Sequence, residues 1–324
     1  MIKLVLNGYY RSGTTILWWA MKRSNPEMLH LFEPLSPALE EDDLSLRSHK
    51  LHGAPVGTEY NRKEFDQVKN NFFKRRSRLL EIYKHRLKKS SKVDIDVLPT
   101  NLEEVAPLFD LLNGLEIPVI VQPNNCHFIL RDISERYGCK FIHIIRNPID
   151  TWLASTVDKS ARKGVRKRFL PFLPALWLAE KLVKKSKLAL DTLARIYMVN
   201  RSFFLEPDFE LVTQYFDYDR NLVKDYLDKR LVVWAFCNYE AWKQAEDCKD
   251  GMIIYYEQLV KNPEYWFEKM EEFGGVRFSK EYAKEIKPYI THSEKLKDLL
   301  IDRLEQLEIF DMVRKFYPPE RWFG

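Results

Sequence analysis

The sequence is poor in the residues that mark disulfide scaffolds, thiolate metal sites and membrane spans. Only four cysteines occur in 324 residues, and no two of them form a Cys-x-x-Cys pair. Such sparse, scattered cysteines are typical of reduced, buried thiols. No apolar run reaches the roughly 20 residues that cross a bilayer, and no leader-like segment precedes the first apolar run. We therefore expect a cytoplasmic protein.

A strong excess of one charge is also absent. Lysine and arginine together number 52 against 47 aspartates and glutamates, which leaves a formal net charge of +5. This mild excess suits an anionic small molecule better than a nucleic acid, so we expect no nucleic-acid partner. The apolar share of 45% and the charged share of 31% are typical of a globular chain.

A phosphate-binding lysine is missing where the N-terminal pattern would place it. After an apolar run, Gly8, Gly13 and Thr15 have the spacing of the Walker loop G-x-x-x-x-G-K-[ST]. Thr14 occupies the lysine position, and the cation comes three residues earlier as Arg11. Strand, glycine-bounded loop and helix in this order predict an anion held at a helix N-terminus. The missing lysine argues against NTP hydrolysis, although plain α/β scaffolding would produce the same local pattern.

The rest of the chain alternates between apolar strands and amphipathic helices, which predicts an α/β fold with helices on both faces of a parallel sheet. We expect a helix from about 125 to 137. We expect one domain over 1–324, with helical insertions at about 61–92 and 160–248. After the N-terminal strand, further strands are predicted at 28–32, 93–97, 118–121, 140–145 and 252–256.

Four residues fall at the carboxyl ends of predicted strands, where parallel sheets bind their ligands. They are Gly8, Glu33, Gln122 and Arg146. Arg146 closes the strongest predicted strand, at a place where NTP-hydrolysing proteins carry an acidic residue for the metal. Because Glu33 is the one acidic side chain at these ends, we predict a metal-free site with two cationic poles, Arg11 and Arg146. A pairing of Arg146 with Asp150 is the alternative.

Three segments, in order along the chain, resemble the signatures of sulfotransferases. They are Tyr10-Arg-Ser-Gly-Thr-Thr15, Phe141-Ile-His-Ile-Ile-Arg-Asn-Pro-Ile-Asp150 and Tyr256-Glu-Gln-Leu-Val-Lys-Asn-Pro263. Enzymes of that family transfer the sulfuryl group of 3′-phosphoadenosine 5′-phosphosulfate (PAPS) to an acceptor and release 3′-phosphoadenosine 5′-phosphate (PAP). The resemblance implies a P-loop-NTPase-like three-layer α/β/α fold with extra helices, PAPS as donor, and a hydroxyl or amine as acceptor.

The resemblance also implies roles for individual residues. Arg11 would stabilise charge on the leaving phosphate, and Ser12–Thr15 would hold the 5′-phosphate. Arg146 would bind the 3′-phosphate. The family's serine partner comes eight positions after that arginine, where this chain has Ala154 followed by Ser155. Either the helix begins one residue later and Ser155 binds the 3′-phosphate, or Ser155 is not a ligand.

Sulfuryl transfer needs a base for the acceptor's proton. Glu33 is the first candidate, because it ends a predicted strand beside the loop and Glu33-Pro34 resembles the Glu-Pro of carbohydrate sulfotransferases. An ion pair between Glu33 and Arg11 is its alternative role. His49 and His52 are rival bases, and each also fits an exposed loop histidine without a catalytic role.

Two further histidines and the adenine contact complete the site predictions. His143 lies inside the strongest predicted strand, so we expect a core residue. His127 is expected to begin a helix beside the site, and its role is open. Cytosolic sulfotransferases place an aromatic residue after the two threonines to pack on adenine. This chain has Ile16 there, which leaves Trp18 or another ring for that contact.

The acceptor is not readable from the sequence, and we expect a small molecule, a carbohydrate or a lipid. A basic and then apolar-aromatic stretch at 166–185 fits a lid, an acceptor groove, a peripheral membrane contact or a helix packed on the core. Two other functions stay open. One is a nucleotide-kinase-like phosphotransferase. The other is a non-catalytic nucleotide- or RNA-binding protein, supported by basic stretches at 74–92 and 159–168.

Overall fold

The computed structural model describes residues 1–35, 63–86, 98–151, 208–284, 286 and 297–322. Its strands are β1 Ile2–Gly8, β2 Leu29–Phe32, β3 Val119–Gln122, β4 Lys140–Ile145 and β5 Gly251–Tyr255. Within the described residues they form one sheet in the order β2-β3-β1-β4-β5, and every neighbouring pair is parallel. The predicted α/β fold with a central parallel sheet is confirmed. The predicted strand at 93–97 lies outside the described residues.

β1 lies at the centre of the sheet, with neighbours on both sides. Its residues Leu4, Val5 and Leu6 are fully buried. In register, Val5 lies between Val121 of β3 and Phe141 of β4. A parallel sheet with helices on both faces needs such continuous apolar strands, because no face of the strand meets water.

Helices lie between the strands, as the alternating pattern predicted. In chain order they are α1 Thr14–Ser24, α2 Lys63–Asp66, α3 Lys69–Arg86, α4 Leu102–Asn113, α5 Leu130–Tyr137, α6 Tyr226–Glu246, α7 Tyr256–Lys261, α8 Pro263–Gly274, α9 Lys280–Ala283, α10 Lys297–Gln306 and α11 Phe310–Phe316. Residues 148–151 and 208–215 are also helical. None of the helices in the described part of the chain combines the length and the apolar character that a membrane crossing requires.

The helix before β4 is shorter than predicted. We expected it from about 125, but α5 begins at Leu130. The preceding segment is held in another conformation, because Cys126 donates its N–H to Asn7 Oδ1 at 3.2 Å. α5 ends at Gly138, whose φ of 62° is the left-handed conformation common after a helix.

The chain divides into two compact units. The first comprises Met1–Ile145 and Glu240–Pro288 and contains the whole sheet, and the second comprises Arg146–Tyr239 and Tyr289–Gly324. α6 begins in the second unit and ends in the first. The single domain over 1–324 stays a prediction. α2 and α3 lie in the predicted helical insertion at 61–92, and α6 lies in the insertion at 160–248.

The second unit has its own aromatic core and ion pairs. The rings of Trp234 and Tyr317 pack with their centroids 5.8 Å apart. Arg303 donates to Asp225 Oδ2 at 2.8 Å and to Asp228 Oδ1 at 2.7 Å. These contacts tie the start of α6 to α10 and to the end of α11.

Candidate functional site

The loop after β1 is a tight turn that leads directly into α1. Ser12 donates its N–H to the carbonyl of Tyr9 at 3.0 Å. Arg11 has a left-handed backbone with φ 64°, and Gly13, which precedes α1, has φ 104°. The chain therefore reverses within a few residues. The N-terminus of α1 follows the carboxyl end of β1, and the positive end of the helix dipole therefore lies at this loop.

Close packing requires glycine at both ends of the loop. A Cβ on Gly8 would collide with Ser12 Oγ and lie 2.7 Å from Thr14 Cγ2. A Cβ on Gly13 would lie 2.5 Å from Cδ2 of the Tyr256 ring, at the start of α7. The third signature segment thus packs on the first through Tyr256. The two glycines therefore allow the loop to pack closely on itself and on Tyr256.

We expect Gly13→Ala to lower the free energy of unfolding by about 2–4 kcal/mol, because it combines backbone strain with a clash on Tyr256. Gly138→Ala is the matched control, since Gly138 has φ 62° but no atom within 4 Å of an added Cβ. The control should lose only about 1–2 kcal/mol, from the strain alone. Urea denaturation of the two variants measures the difference. Equal losses would contradict the packing of Tyr256 on the loop.

The Ser12 hydroxyl is buried and has no hydrogen-bond partner among the described residues. Ser12 is only 1% exposed, and Thr14 beside it is 4% exposed. A buried hydroxyl without a partner costs free energy, which a bound acceptor such as a phosphate oxygen would recover. The hydroxyl, the glycine-bounded turn and the helix N-terminus together fit an anionic group at this loop.

Glu33 follows β2 and is held through both its main chain and its side chain. Its N–H donates to the carbonyl of Gln122 at 2.8 Å, which extends the pairing of β2 with β3 by one residue. Its Oε1 accepts from Asn124 Nδ2 at 2.7 Å. Its φ of 46° is a left-handed conformation that glutamate seldom adopts. The candidate base therefore has a defined and strained position.

Asn125 connects the segment after β3 with the loop after β1. Its Nδ2 donates to Tyr10 Oη at 3.3 Å, while its neighbour Asn124 contacts Glu33. The segments that follow β1, β2 and β3 therefore meet at one edge of the sheet. This agrees with the expectation for carboxyl ends of parallel strands.

Beneath the loop, Asn7 contacts two buried histidines. Its Nδ2 lies 3.1 Å from His127 Nδ1 and 3.0 Å from His143 Nδ1. An amide nitrogen only donates, so both rings accept at Nδ1 and carry their proton on Nε2. Burial first, and then the nearby His143, hold the pKa of His127 well below the ordinary 6.5. His143 is a core residue, as predicted. His127 does not begin a helix as expected, but lies buried ahead of α5.

We expect the wild type to lose stability as the pH falls below about 6.5, because His127 stays neutral in the fold while the unfolded chain binds a proton there. The contribution of His127 is fully present above that pH. It should fall by about 1 kcal/mol between roughly pH 6.5 and 5.5. His127→Asn keeps an acceptor for Asn7. Urea denaturation across this pH range should show that its free energy of unfolding falls less steeply with pH than that of the wild type. Parallel curves would contradict the neutral state of His127.

Arg146 directly follows β4 and is the first residue of the second unit. It is only 6% exposed, and its carbonyl accepts a hydrogen bond from Trp234 Nε1 at 3.0 Å. Asn147 Oδ1 accepts from the N–H of Ile149 at 3.0 Å and caps the helical residues that follow. Asp150, the alternative partner for Arg146, is fully buried in the same unit. A guanidinium keeps its charge even when buried, so Arg146 can serve an anion.

A family model described as the sulfotransferase domain matches residues 2–299 of this chain. The chain belongs to the sulfotransferase domain family. A sulfotransferase-family assignment agrees with the resemblance of the three signature segments. Among similar proteins, an uncharacterized protein of Archaeoglobus fulgidus is 43% identical over 337 aligned residues, and the match covers 100% of both chains.

Solved structures of two sulfotransferase domains are also similar to this sulfotransferase-family chain. The domain from the curacin biosynthetic pathway is 14% identical, with 87% of this chain and 77% of that chain covered, at a TM-score of 0.35. The domain from the Synechococcus PCC 7002 olefin synthase is 16% identical, with 96% and 94% covered, at a TM-score of 0.36. The family assignment rests on the match over residues 2–299, and the fold on the parallel sheet itself.

Trp18 does not face a ligand site in this sulfotransferase-family chain. It is fully buried, and its ring centroid lies 5.0 Å from that of Phe32 in the hydrophobic core. Trp18 is therefore not available to pack on an adenine, and such a contact would need another aromatic ring. His49, His52 and Ser155 lie outside the described residues, as does 166–185, and their roles stay predictions.

Asn124, Asn125 and Tyr256 were not among the predicted site residues. A signal for the asparagines was present in Gln122-Pro-Asn-Asn125, because asparagines after a buried strand often adopt the left-handed backbone of a turn. Tyr256 stood in a signature segment, but its packing on Gly13 depends on where β5 joins the sheet. Local patterns do not encode that contact.

The arrangement offers two chemical functions at one edge of the sheet. The loop after β1 can bind an anion through backbone amides, the Ser12 hydroxyl and the Arg11 guanidinium. Glu33 can accept a proton. Across the described ranges, no group of three or more His, Cys, Asp or Glu side chains is arranged to hold a metal ion.

Proposed function

We propose that this chain transfers the sulfuryl group of PAPS to a hydroxyl or amine of an acceptor. The observation that carries the proposal is the tight glycine-bounded loop from Gly8 to Thr15, which leads into a helix N-terminus, in a chain of the sulfotransferase domain family. The buried Ser12 hydroxyl, which has no hydrogen-bond partner among the described residues, supports a phosphate as the ligand of that loop. The absence of a Walker lysine at Thr14 favours this donor over a nucleoside triphosphate.

In this proposal the residues of the loop hold the 5′ end of the donor. When bound, PAPS supplies the sulfuryl group together with a phosphate that leaves. The backbone of Ser12–Thr15 and the hydroxyls of Thr14 and Thr15 bind that phosphate, and Arg11 neutralises the charge that grows on it. Arg146 binds the 3′-phosphate, a role that its charge and its position directly after β4 support. Ser155 is proposed as a second ligand of the 3′-phosphate.

Glu33 is proposed as the general base that takes the proton of the acceptor. Its support is the fixed position of its carboxylate, bonded to Asn124 at 2.7 Å beside the phosphate loop. A base of this kind contributes about 10²- to 10⁴-fold to turnover. His49 is the rival base. The acceptor is proposed to be a small molecule, a carbohydrate or a lipid, and the reaction to proceed without a metal in the cytoplasm.

Calorimetric titration of the wild type with PAP, in buffer containing EDTA, tests the proposal. We expect binding to one site per chain, and turnover of labelled PAPS with at least one acceptor from a panel of sugars, phenols, lipids and amines. A wild type that does not bind PAP would contradict the proposal. Mg²⁺-dependent turnover of ATP would favour a phosphotransferase instead, and a salt-dependent RNA shift without PAP binding would favour an RNA-binding protein.

A further inference from the structure

Asn124 is oriented by the groups on both of its sides. A carboxylate only accepts hydrogen bonds, so Asn124 turns its Nδ2 toward Glu33 Oε1, at 2.7 Å. Its Oδ1 therefore faces away and accepts from Gln122 Nε2, at 2.6 Å. Gln122 is fully buried at the end of β3. The three side chains form a directed row of hydrogen bonds that begins in the core and ends on the candidate base.

The backbone supports the same arrangement. Asn124 has φ 64° and Glu33 has φ 46°, so both lie in the left-handed region, which asparagine tolerates better than most residues. The main-chain bond from the Glu33 N–H to the Gln122 carbonyl, at 2.8 Å, joins the two ends of the row a second time. Strain at both residues is sustained only because these bonds define the segment from both sides.

A buried cation on a neighbouring helix contacts the segment that holds Glu33. Arg76 of α3 is buried and donates from its Nε to the carbonyl of Pro34, at 3.1 Å, one residue after Glu33. Arg11 lies on the loop after β1. Because Arg76 contacts the Pro34 carbonyl whatever residue stands at 124, a change at Asn124 isolates the contribution of its amide.

We propose that Asn124, anchored by Gln122, is a positioning residue for Glu33 that orients its carboxylate and favours the ionised form. The base role of Glu33 rests on the proposed function, whereas the hydrogen bond that Asn124 donates is independent of it. A donor on an ionised carboxylate stabilises the charge, and this keeps the base ready to accept a proton.

Asn124→Asp tests the proposal with an isosteric change. Aspartate tolerates the left-handed backbone and still accepts from Gln122, but it replaces the donor to Glu33 by a second negative charge. We expect the acidic limb of the pH–rate profile to move up by about one pH unit or more. Carbon-13 NMR of labelled glutamate carboxyls, with the Glu33 signal identified by its loss in Glu33→Gln, should show the same upward movement of the Glu33 titration.

Two variants keep the result interpretable. Asn124→Gly suits φ 64° without strain and removes the amide, so it should shift the titration in the same direction by less. Asn113→Asp is the charge-matched control. Asn113 Oδ1 accepts from the Ile2 N–H at 2.9 Å at the opposite end of β1, and aspartate keeps that acceptor. This control should leave the titration of Glu33 in place.

The outcomes separate the positioning role from the proposed reaction. An unchanged Glu33 titration in Asn124→Asp and Asn124→Gly overturns the positioning role, even if PAP binds. The positioning role is also overturned if Asn113→Asp moves the Glu33 titration as far as Asn124→Asp does, because the change in net charge alone would then explain the shift. Failure of the wild type to bind PAP removes the proposed reaction, but leaves the NMR titration as a direct test of the hydrogen bond.

Discussion

Glu33→Gln should bind PAP within about twofold of the wild type and lose about 10²- to 10⁴-fold in turnover, the usual contribution of a general base. Glutamine retains the size of the side chain and an oxygen that accepts from Asn124, so the segment after β2 stays in place. It cannot take a proton from the acceptor. The loss should therefore appear in kcat rather than in the affinity for the donor product.

The measurement combines a calorimetric titration with PAP and a turnover assay with labelled PAPS, using an acceptor that the wild type sulfates. Glu27→Gln is the matched control, because Glu27 precedes the same strand and pairs with Arg277 at 2.8 Å on the surface. Its turnover should match that of the wild type. Full activity in Glu33→Gln would exclude Glu33 as the base and make His49 the next residue to substitute.

Arg11→Ala should weaken PAP binding by about 10- to 100-fold, the amount expected for losing a charged hydrogen-bond donor to a phosphate. Turnover should fall further than binding, because charge on the leaving phosphate grows in the transition state. Alanine meets the same backbone strain as arginine at φ 64°. The stability of the fold should therefore change little, and the loss reports on the guanidinium.

Two further variants test whether the Arg11→Ala effect comes from the guanidinium or from net charge. Arg11→Lys restores a positive charge without the planar fork, so it should recover part of the affinity but not all of it. Arg23→Ala removes an exposed arginine from the last turn of α1, where its guanidinium stacks on the Trp19 ring at 5.3 Å. PAP affinity in this control should stay within about twofold, since the site lies at the other end of the helix. Equal effects of Arg11→Ala and Arg23→Ala would show that only net charge matters.

The strands and the tight loop after β1 were predictable because they are encoded locally. The strands were predicted from continuous apolar runs, and β4 has the predicted bounds of 140–145. The loop was predicted from the spacing of Gly8, Gly13 and Thr15, which acts over a single turn. The start of α5 was predicted wrongly, because the bond from Cys126 to Asn7 spans 119 residues and overrides local helical preference.

The sequence by itself determined the fold class, the place of the loop and the candidacy of Arg11, Glu33 and Arg146, because each follows from neighbours along the chain. Only the tertiary structure decided what surrounds them. The bond from Asn124 to Glu33 joins residues 91 positions apart. Tyr256, which packs on Gly13, follows β5, and β5 is an outer strand of the sheet. Such contacts depend on which strands become neighbours. That choice is made by packing of the whole core, and no local pattern records it.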